Sequence, residues 1–179
     1  MKKRYEIRLA GRGGQGMILA GRILAEAAAT YDSKNAAQTQ SYGAEARGGA
    51  SRAEVVISEE EIDYPKVITA DLLLAMSQEA YDKYSCDLKE EGTLIVDSVN
   101  VKEVTTEKAY RLPITKIAEE ATGQRITANM VGLGLLVGLS GAVSDKAIEA
   151  AVKALSPASM KEANLKALKT GLKRARRGV

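Results

Sequence analysis

The stretch YEIRLAGRGGQGMILAGRILAEAA, residues 5–28, decides the fold. Residues 5–10 alternate in polarity and predict a strand. Residues 15–30 follow a helical period, with Gly16, Ala20 and Gly21 about one turn apart, a spacing that suits close packing on a sheet. Between them lies AGRGGQG, residues 10–16, with four glycines in the six residues from Gly11. Gly11, Gly13 and Gly16 match G-x-G-x-x-G in a strand–loop–helix context. Glycine lets bare backbone approach an anion, and a helix N-terminus adds free N–H groups and a positive dipole end. The spacing therefore predicts an anion site; the plainer alternative is a tight turn with close helix–sheet packing.

Outward from this unit the chain continues in α/β style. AAQTQSY (36–42) reads as a weak second strand, GAEARGGAS (43–51) as a glycine-bracketed loop and SRAEVVIS (51–58) as a third strand. EEEIDYPK (59–66) is an acidic surface turn. ADLLLAM (70–76) is a buried strand, and SQEAYDKYSCDL (77–88) a helix with Ser77 as candidate N-cap. EGTLIVDS (91–98) is a buried strand opened by Gly92, and KAYRLPI (108–114) a final strand. Pro113 opens a helix to Ala121 that Gly123 stops. An apolar, glycine-studded helix (126–141) and two amphipathic helices (144–155 and 159–177) follow. The pattern implies a three-layer α/β/α domain with a largely parallel sheet, a glycine loop after strand one and a helical C-terminal half. One domain over residues 1–179 is expected, its helices from about 143 to 177 packing on it or on a partner.

Composition narrows the chemistry. Of 179 residues 45% are apolar, enough for a core, but there is no Phe or Trp, so Ala, Val, Leu and Ile must build it. A net charge of +3 is too mild for a nucleic-acid binder. No apolar run approaches the ~18 residues of a membrane span, and Met1-Lys2-Lys3-Arg4 leads into a strand rather than a signal-peptide core, so a cytoplasmic protein is expected. There is no His, which removes the commonest general base and metal ligand. A single Cys86 excludes a self-held iron–sulfur cluster, which needs about four thiolates. No catalytic or metal-ligating residue is therefore assigned: the chemistry belongs to a cofactor or to another chain.

NAD is the default ligand for the glycine pattern, but it wants an Asp or Glu at the end of strand two, ~20 residues on. AAQTQSYG offers none; Asp32 precedes that strand and Glu45 lies well into the next loop. The loop SYGAEARGGAS should emerge at the same sheet edge as the glycine loop. It carries Arg47, read either as a phosphate clamp by virtue of its planar fork or as a solvated surface residue.

The segments GRGGQGMILAGRILAEAA, NAAQTQSYGAEARGGASRAEVVIS, IDYPKV, LLLAMSQEAYDKY and GTLIVDS, in that order, resemble the gamma subunit of the 2-oxoacid:ferredoxin oxidoreductases, the 2-oxoglutarate type above all. The similarity runs from about residue 5 to about residue 140, and the pair G-x-G-G-Q-G and Y-G-x-E-x-R-G-G carries most of it. The resemblance implies a multi-subunit enzyme that turns 2-oxoglutarate, CoA and oxidised ferredoxin into succinyl-CoA, CO2 and reduced ferredoxin. Alpha and beta subunits, with a delta subunit as a further candidate, would hold thiamine diphosphate, Mg and the iron–sulfur clusters; ferredoxin would be an indirect partner. Neither nucleic acid nor membrane enters. The domain similar to this one in fused relatives helps to bind CoA. Carried over, Gly11, Gly13, Gly14, Gln15 and Gly16 cradle a CoA phosphate, Arg47 closes the cradle, and Gln40 and Tyr42 line the pantetheine path. Fused relatives carry lysines in the second loop where this chain offers Arg47 and no nearby Lys. The alternatives are the same role in a pyruvate, 2-ketoisovalerate or indolepyruvate enzyme, or a stand-alone nucleotide-binding regulatory module.

The remaining features have plainer readings. Cys86 is expected to be an ordinary thiol. SEEEID (58–63) reads as a solvated turn, with docking to a basic surface as the alternative, and the basic tail from Lys169 to Arg177 as a solvated helix end against a partner subunit. Gly132, Gly134, Gly138 and Gly141 in an apolar helix imply close approach by another backbone, from this chain's own sheet or from a neighbouring subunit; an interface is the expectation.

Overall fold

The computed structural model describes residues 4–41 and 50–178. In chain order it contains β1 (Arg4–Arg12), α1 (Met17–Glu26), β2 (Asn35–Ser41), β3 (Ala50–Ser58), β4 (Ala70–Ala75), α2 (Gln78–Tyr84), β5 (Leu88–Asp97), β6 (Ala109–Leu112), α3 (Ile114–Thr122), α4 (Ala128–Ser140), α5 (Asp145–Leu155) and α6 (Lys161–Arg176). The six strands form one sheet in the order β2-β3-β1-β4-β5-β6. β1, β4, β5 and β6 run parallel, and β3 is antiparallel to both of its neighbours, β1 and β2.

The antiparallel β3 amends the expected sequence of strands. β2 points the same way as β1 but does not touch it, because β3 returns between them, with Arg12 opposite Ala50 and Ser41 opposite Arg52. Alternation in SRAEVVIS predicts a strand, but not which strand it will pair with. The glycine turn and the ends of the β2–β3 pair nevertheless lie at one edge of the sheet, as expected.

Three layers result. One sheet face, with Ile7, Leu9, Val55, Ile57, Leu72, Leu74 and Ile95, packs under α1, α3, α4, α5 and α6. The other, with Ala10, Leu73, Ala75, Leu94 and Val96, packs under α2 through Tyr81 and Tyr84. Arg8, 3% exposed, is held on this second face by Glu54 at 2.9 Å and Asp87 at 2.8 Å, so its charge is paired rather than stranded.

Several boundaries follow local chemistry. The Ser77 hydroxyl accepts from the Ala80 amide, capping α2 as its sequence predicts. Pro113 precedes α3 and Gly123 stops it at φ 74°. Several elements differ in length from expectation, β1 running on to Arg12 and β6 spanning only Ala109–Leu112. α1 ends at Glu26 and continues as one wide turn, Ala27–Tyr31. α2 stops at Tyr84, followed by a short tight turn, Ser85–Asp87. β5 begins at Leu88, four residues before Gly92.

The glycine-rich helix packs within the chain, not at the subunit interface expected of it. In α4 a Cβ on Gly132 would press on Leu74 of β4, and one on Gly134 would overlap the Leu168 carbonyl. Gly171 of α6 faces Gly134 in return, so α4 and α6 cross backbone to backbone, with α4 buried between the sheet and α6. A side chain at either position would force the helices apart. The C-terminal helices thus pack on the described core. No helix among the described residues is long and apolar enough to cross a membrane.

Candidate functional site

β1 points its carboxyl end at a four-residue turn, Gly13–Gly16, that opens α1. Gly14 (φ 89°) and Gly16 (φ 75°) hold left-handed backbone, which favours glycine. Gly16 is the N-cap of α1, no side chain caps the helix, and no acidic residue lies in its first turn. The first amides of a helix have no intrahelical partner, so these stay available to an anion.

The predicted glycines divide into two groups. A Cβ on Gly13 or Gly14 would meet nothing within 4 Å: these two face open space. Gly11 lies inside β1, opposite Ser51, and a Cβ there would sit 2.6 Å from Gln15 Oε1 and 3.2 Å from Met17 and Met76. Gly16 is overlaid by the Asn129 side chain, whose amide donates to the Gly16 carbonyl. Gly11 and Gly16 make room for packing; Gly13 and Gly14 make room for something else.

Gln15 is a brace. Its Oε1 accepts from the Arg12 amide at 2.6 Å and its Nε2 donates to the Met76 carbonyl at 3.0 Å, joining the ends of β1 and β4. Between β1 and β4 the chain reverses direction across the sheet, and such switch points are where open α/β sheets bind ligands. Gln40 is exposed on β2, in register with Ala53 and through it Leu9, so it shares the α1 face but lies two strands, about 10 Å, from β1. Tyr42 and Arg47 lie outside the described residues.

Beside the turn is an open cleft of about 430 Å³. Gly14, Gln15 and Met76 form its near wall; Asn100, Thr115, Arg125 and Ile126 form the far wall. Asp97, fully buried at the end of β5, builds that wall. It accepts from the Asn100 side-chain amide at 2.6 Å and from both the amide and the hydroxyl of Thr115. Among the described residues Arg125 is the one cation lining the cleft, and it makes a loose surface contact with Glu119 at 3.7 Å. Ile126, 63% exposed, is the apolar rim. A smaller hollow lies across the turn, lined by Gly13, Gly14, Ile18 and Ser51.

Sequence reasoning missed the far wall. Asn100 comes from the β5–β6 connection, Thr115 from the first turn of α3 and Arg125 from the α3–α4 connection, and the parallel run β4-β5-β6 brings them to the glycine turn. One signal was available: Gly123 stops α3, so the next residues, Gln124 and Arg125, had to lie at a helix junction and place a cation there.

The lining can bind and orient, but among the described residues it includes no carboxylate, thiol or lysine. Among the described residues no group of three or more His, Cys, Asp or Glu could hold a metal ion. Cys86 is exposed, near Asp87. β1 lies between antiparallel β3 and parallel β4, and among the described residues neither strand carries, at the end beside the glycine turn, the carboxylate a dinucleotide ribose needs.

Residues 6–174 match the family described as pyruvate ferredoxin/flavodoxin oxidoreductase. The chain is 51% identical over 178 residues to the 2-oxoglutarate synthase subunit KorC of Methanocaldococcus jannaschii, covering 96% of this chain and 94% of that protein. It is 53% identical over 176 residues to the KorC subunit of Methanothermobacter thermautotrophicus, with 94% and 93% covered. Among solved structures, the gamma subunit of a keto/oxoacid ferredoxin oxidoreductase from Geobacter sulfurreducens matches at TM-score 0.87 and 48% identity over 97% of each chain. The 2-oxoglutarate:ferredoxin oxidoreductase of Magnetococcus marinus, solved with 2-oxoglutarate, coenzyme A and succinyl-CoA bound, matches at TM-score 0.86 and 26% identity, over 99% of this chain and 32% of that one.

Proposed function

Since the chain belongs to the pyruvate ferredoxin/flavodoxin oxidoreductase family, we propose that it is the gamma-type subunit of a 2-oxoglutarate:ferredoxin oxidoreductase and that its share of the work is to hold CoA. The observation that carries the reading is the identity of about half, end to end, with KorC subunits of 2-oxoglutarate synthase. Residues 1–179 act as one gamma-type domain within an assembly whose other subunits supply the remaining cofactors.

The residues present do not fit those other cofactors. One cysteine and no histidine cannot hold an iron–sulfur cluster. The clusters therefore fall to partner chains; we assign thiamine diphosphate and its Mg to those chains as well, and no bond-making step to this one.

The fit to CoA is of a different kind. CoA carries a pyrophosphate and a 3′-phosphate on adenosine, followed by a long, mostly apolar arm. Gly13 and Gly14 leave space at the uncapped N-terminus of α1, where backbone amides suit a phosphate. Arg125 adds a fork-shaped cation across the cleft. Met76 and Ile126 offer apolar surface to the arm. Gly11, Gly16 and Gln15 support this site from behind, through the packing that sets the turn. Arg47 closes it from the β2–β3 connection, which leaves β2 and rejoins β3 at this same edge. Gln40 and Tyr42 belong to the approach along β2.

The test is mild affinity purification of the tagged chain from its native host. Co-purification with a thiamine-diphosphate-binding subunit, and reduction of a viologen dye with 2-oxoglutarate only when CoA is added, is the expected result. A chain that emerges alone overturns the reading.

A further inference from the structure

The segment from Glu59 to Thr69 joins β3 to β4 at the amino end of the sheet, away from the glycine turn. It displays Ile68 at 68% exposure and Tyr64 at 49%. These side chains are not on a slack loop. Arg4 donates to the carbonyls of Tyr64 at 2.8 Å and Lys66 at 2.9 Å. Glu6 accepts from the amides of Ile68 at 2.8 Å and Thr69 at 3.1 Å. Arg4 and Glu6 pair with each other at 2.7 Å, and Glu6 is 5% exposed. Val67 anchors the loop against Val56 and Ala70, and Pro65 fixes one more φ. One ion pair thus clamps the second half of the loop, residues 64–69, while Ile68 and Tyr64 stay exposed.

An isoleucine held in water forgoes the stabilisation that burial would give. A rigid loop that presents it has little ordering left to do when it binds. The loop is also charged: Glu59, Glu60, Glu61 and Asp63 against the single Lys66. Large apolar side chains at the centre with charge at the rim is the anatomy of a docking surface.

We propose that this loop is the knob by which the chain docks another subunit of its enzyme, one whose surface offers an apolar pocket for Ile68 and Tyr64 ringed by Lys and Arg. The inference rests on the subunit reading above. The acidic rim selects a basic partner surface and steers its approach, and the position of the loop leaves the cleft beside the glycine turn free.

The test uses the whole enzyme, purified through a tag on this chain from a host that expresses all subunits. Retention of the partner subunits is measured on dilution, for wild type and for Ile68→Asp, Ile68→Leu and the double variant Glu61→Lys/Asp63→Lys. Ile68→Asp is expected to weaken assembly at least tenfold and Ile68→Leu by less than about twofold. The charge reversal is expected to weaken assembly several-fold at low salt and less at high salt, because surface charges are screened. Since all three positions are exposed, a loss of folding cannot mimic this pattern. If wild type retains its partners and Ile68→Asp retains them equally well, the docking inference is overturned and the subunit reading stands. If wild type retains none, or this chain only pairs with itself through the loop, both fall.

Discussion

At the glycine turn, the first amides of a helix are left open; at the amino end of the sheet, side chains already satisfy the backbone. The first amides of α1 have no side-chain cap and face the space that Gly13 and Gly14 leave empty. At the other end, Glu6 takes the Ile68 and Thr69 amides and Arg4 takes two carbonyls of the same loop. Asp71, 2% exposed, takes the Glu6 amide at 2.9 Å and pairs with Lys89. One sheet therefore carries two kinds of end, one that stabilises the fold and one that keeps binding capacity in reserve. The difference teaches where substitutions should register: in melting temperature at the amino end, in ligand affinity at the carboxyl end.

The largest expected effect is at the amino end. Glu6→Ala takes the carboxylate away from the half-buried Ile68 and Thr69 amides and from the Arg4 guanidinium. Hydrogen bonds to a charged acceptor are worth about 1.5–3 kcal/mol, which for a chain of this size is a fall of about 6 °C in melting temperature. Differential scanning calorimetry of the purified enzyme measures it, and the KM for CoA in the protein that remains folded should not change. A CoA effect as large as the stability effect would erase the contrast between the ends.

Gly13→Ala is the mirror image. Its new Cβ enters empty space, and Gly13 has no left-handed backbone to strain. The melting temperature should stay within about 2 °C, while the KM for CoA rises about tenfold, or ~1.4 kcal/mol of lost binding. Steady-state kinetics with CoA varied at saturating 2-oxoglutarate decides it. An unchanged KM would make the open glycines a feature of the turn alone.

Arg125→Ala sharpens the same contrast from the far wall. The side chain is exposed, so a charged contact here is discounted for solvent screening. A rise of about fivefold in the KM for CoA is expected, with no change in the KM for 2-oxoglutarate. Equal effects on both substrates would assign Arg125 to assembly rather than to CoA.

What the sequence made legible follows the same division. Local patterns were readable: the alternation of β1, the Ser77 cap, and the Pro113 and Gly123 boundaries of α3 each depend on a few adjacent residues. Partners were not. The pairing of β1 with β3 joins Arg4 to Ser58, and the crossing of Gly134 with Gly171 is set by helix packing. Glycine in a sequence marks a place where a side chain is unwelcome without saying what would collide with it. Gly11 and Gly16 exclude Gln15 and Asn129, Gly134 excludes a helix backbone, and within the glycine turn Gly13 and Gly14 face nothing. In the same way Arg4 and Glu6 read as one more alternating polar pair of a strand, and their clamp on residues 64–69 appears only once the chain has closed on itself.

The smallest effect lies inside the amino end and tests whether its charges act together. Burial first, and the Asp71 carboxylate second, push the Tyr5 phenol above its usual pKa. A pKa raised by folding stabilises the native state fully at pH below the unfolded value of about 10, and that contribution is lost as pH rises through the higher folded value. The wild type should therefore lose stability more steeply than Tyr5→Phe above pH 10, while the difference between the two stays constant from pH 7 to 9. Melting temperatures of both proteins across pH 7–11 measure this directly. A constant difference over the whole range would mean that Tyr5 does not feel Asp71 or its burial as a charge problem, and that the amino end is held by the Arg4–Glu6 and Lys89–Asp71 pairs as independent contacts.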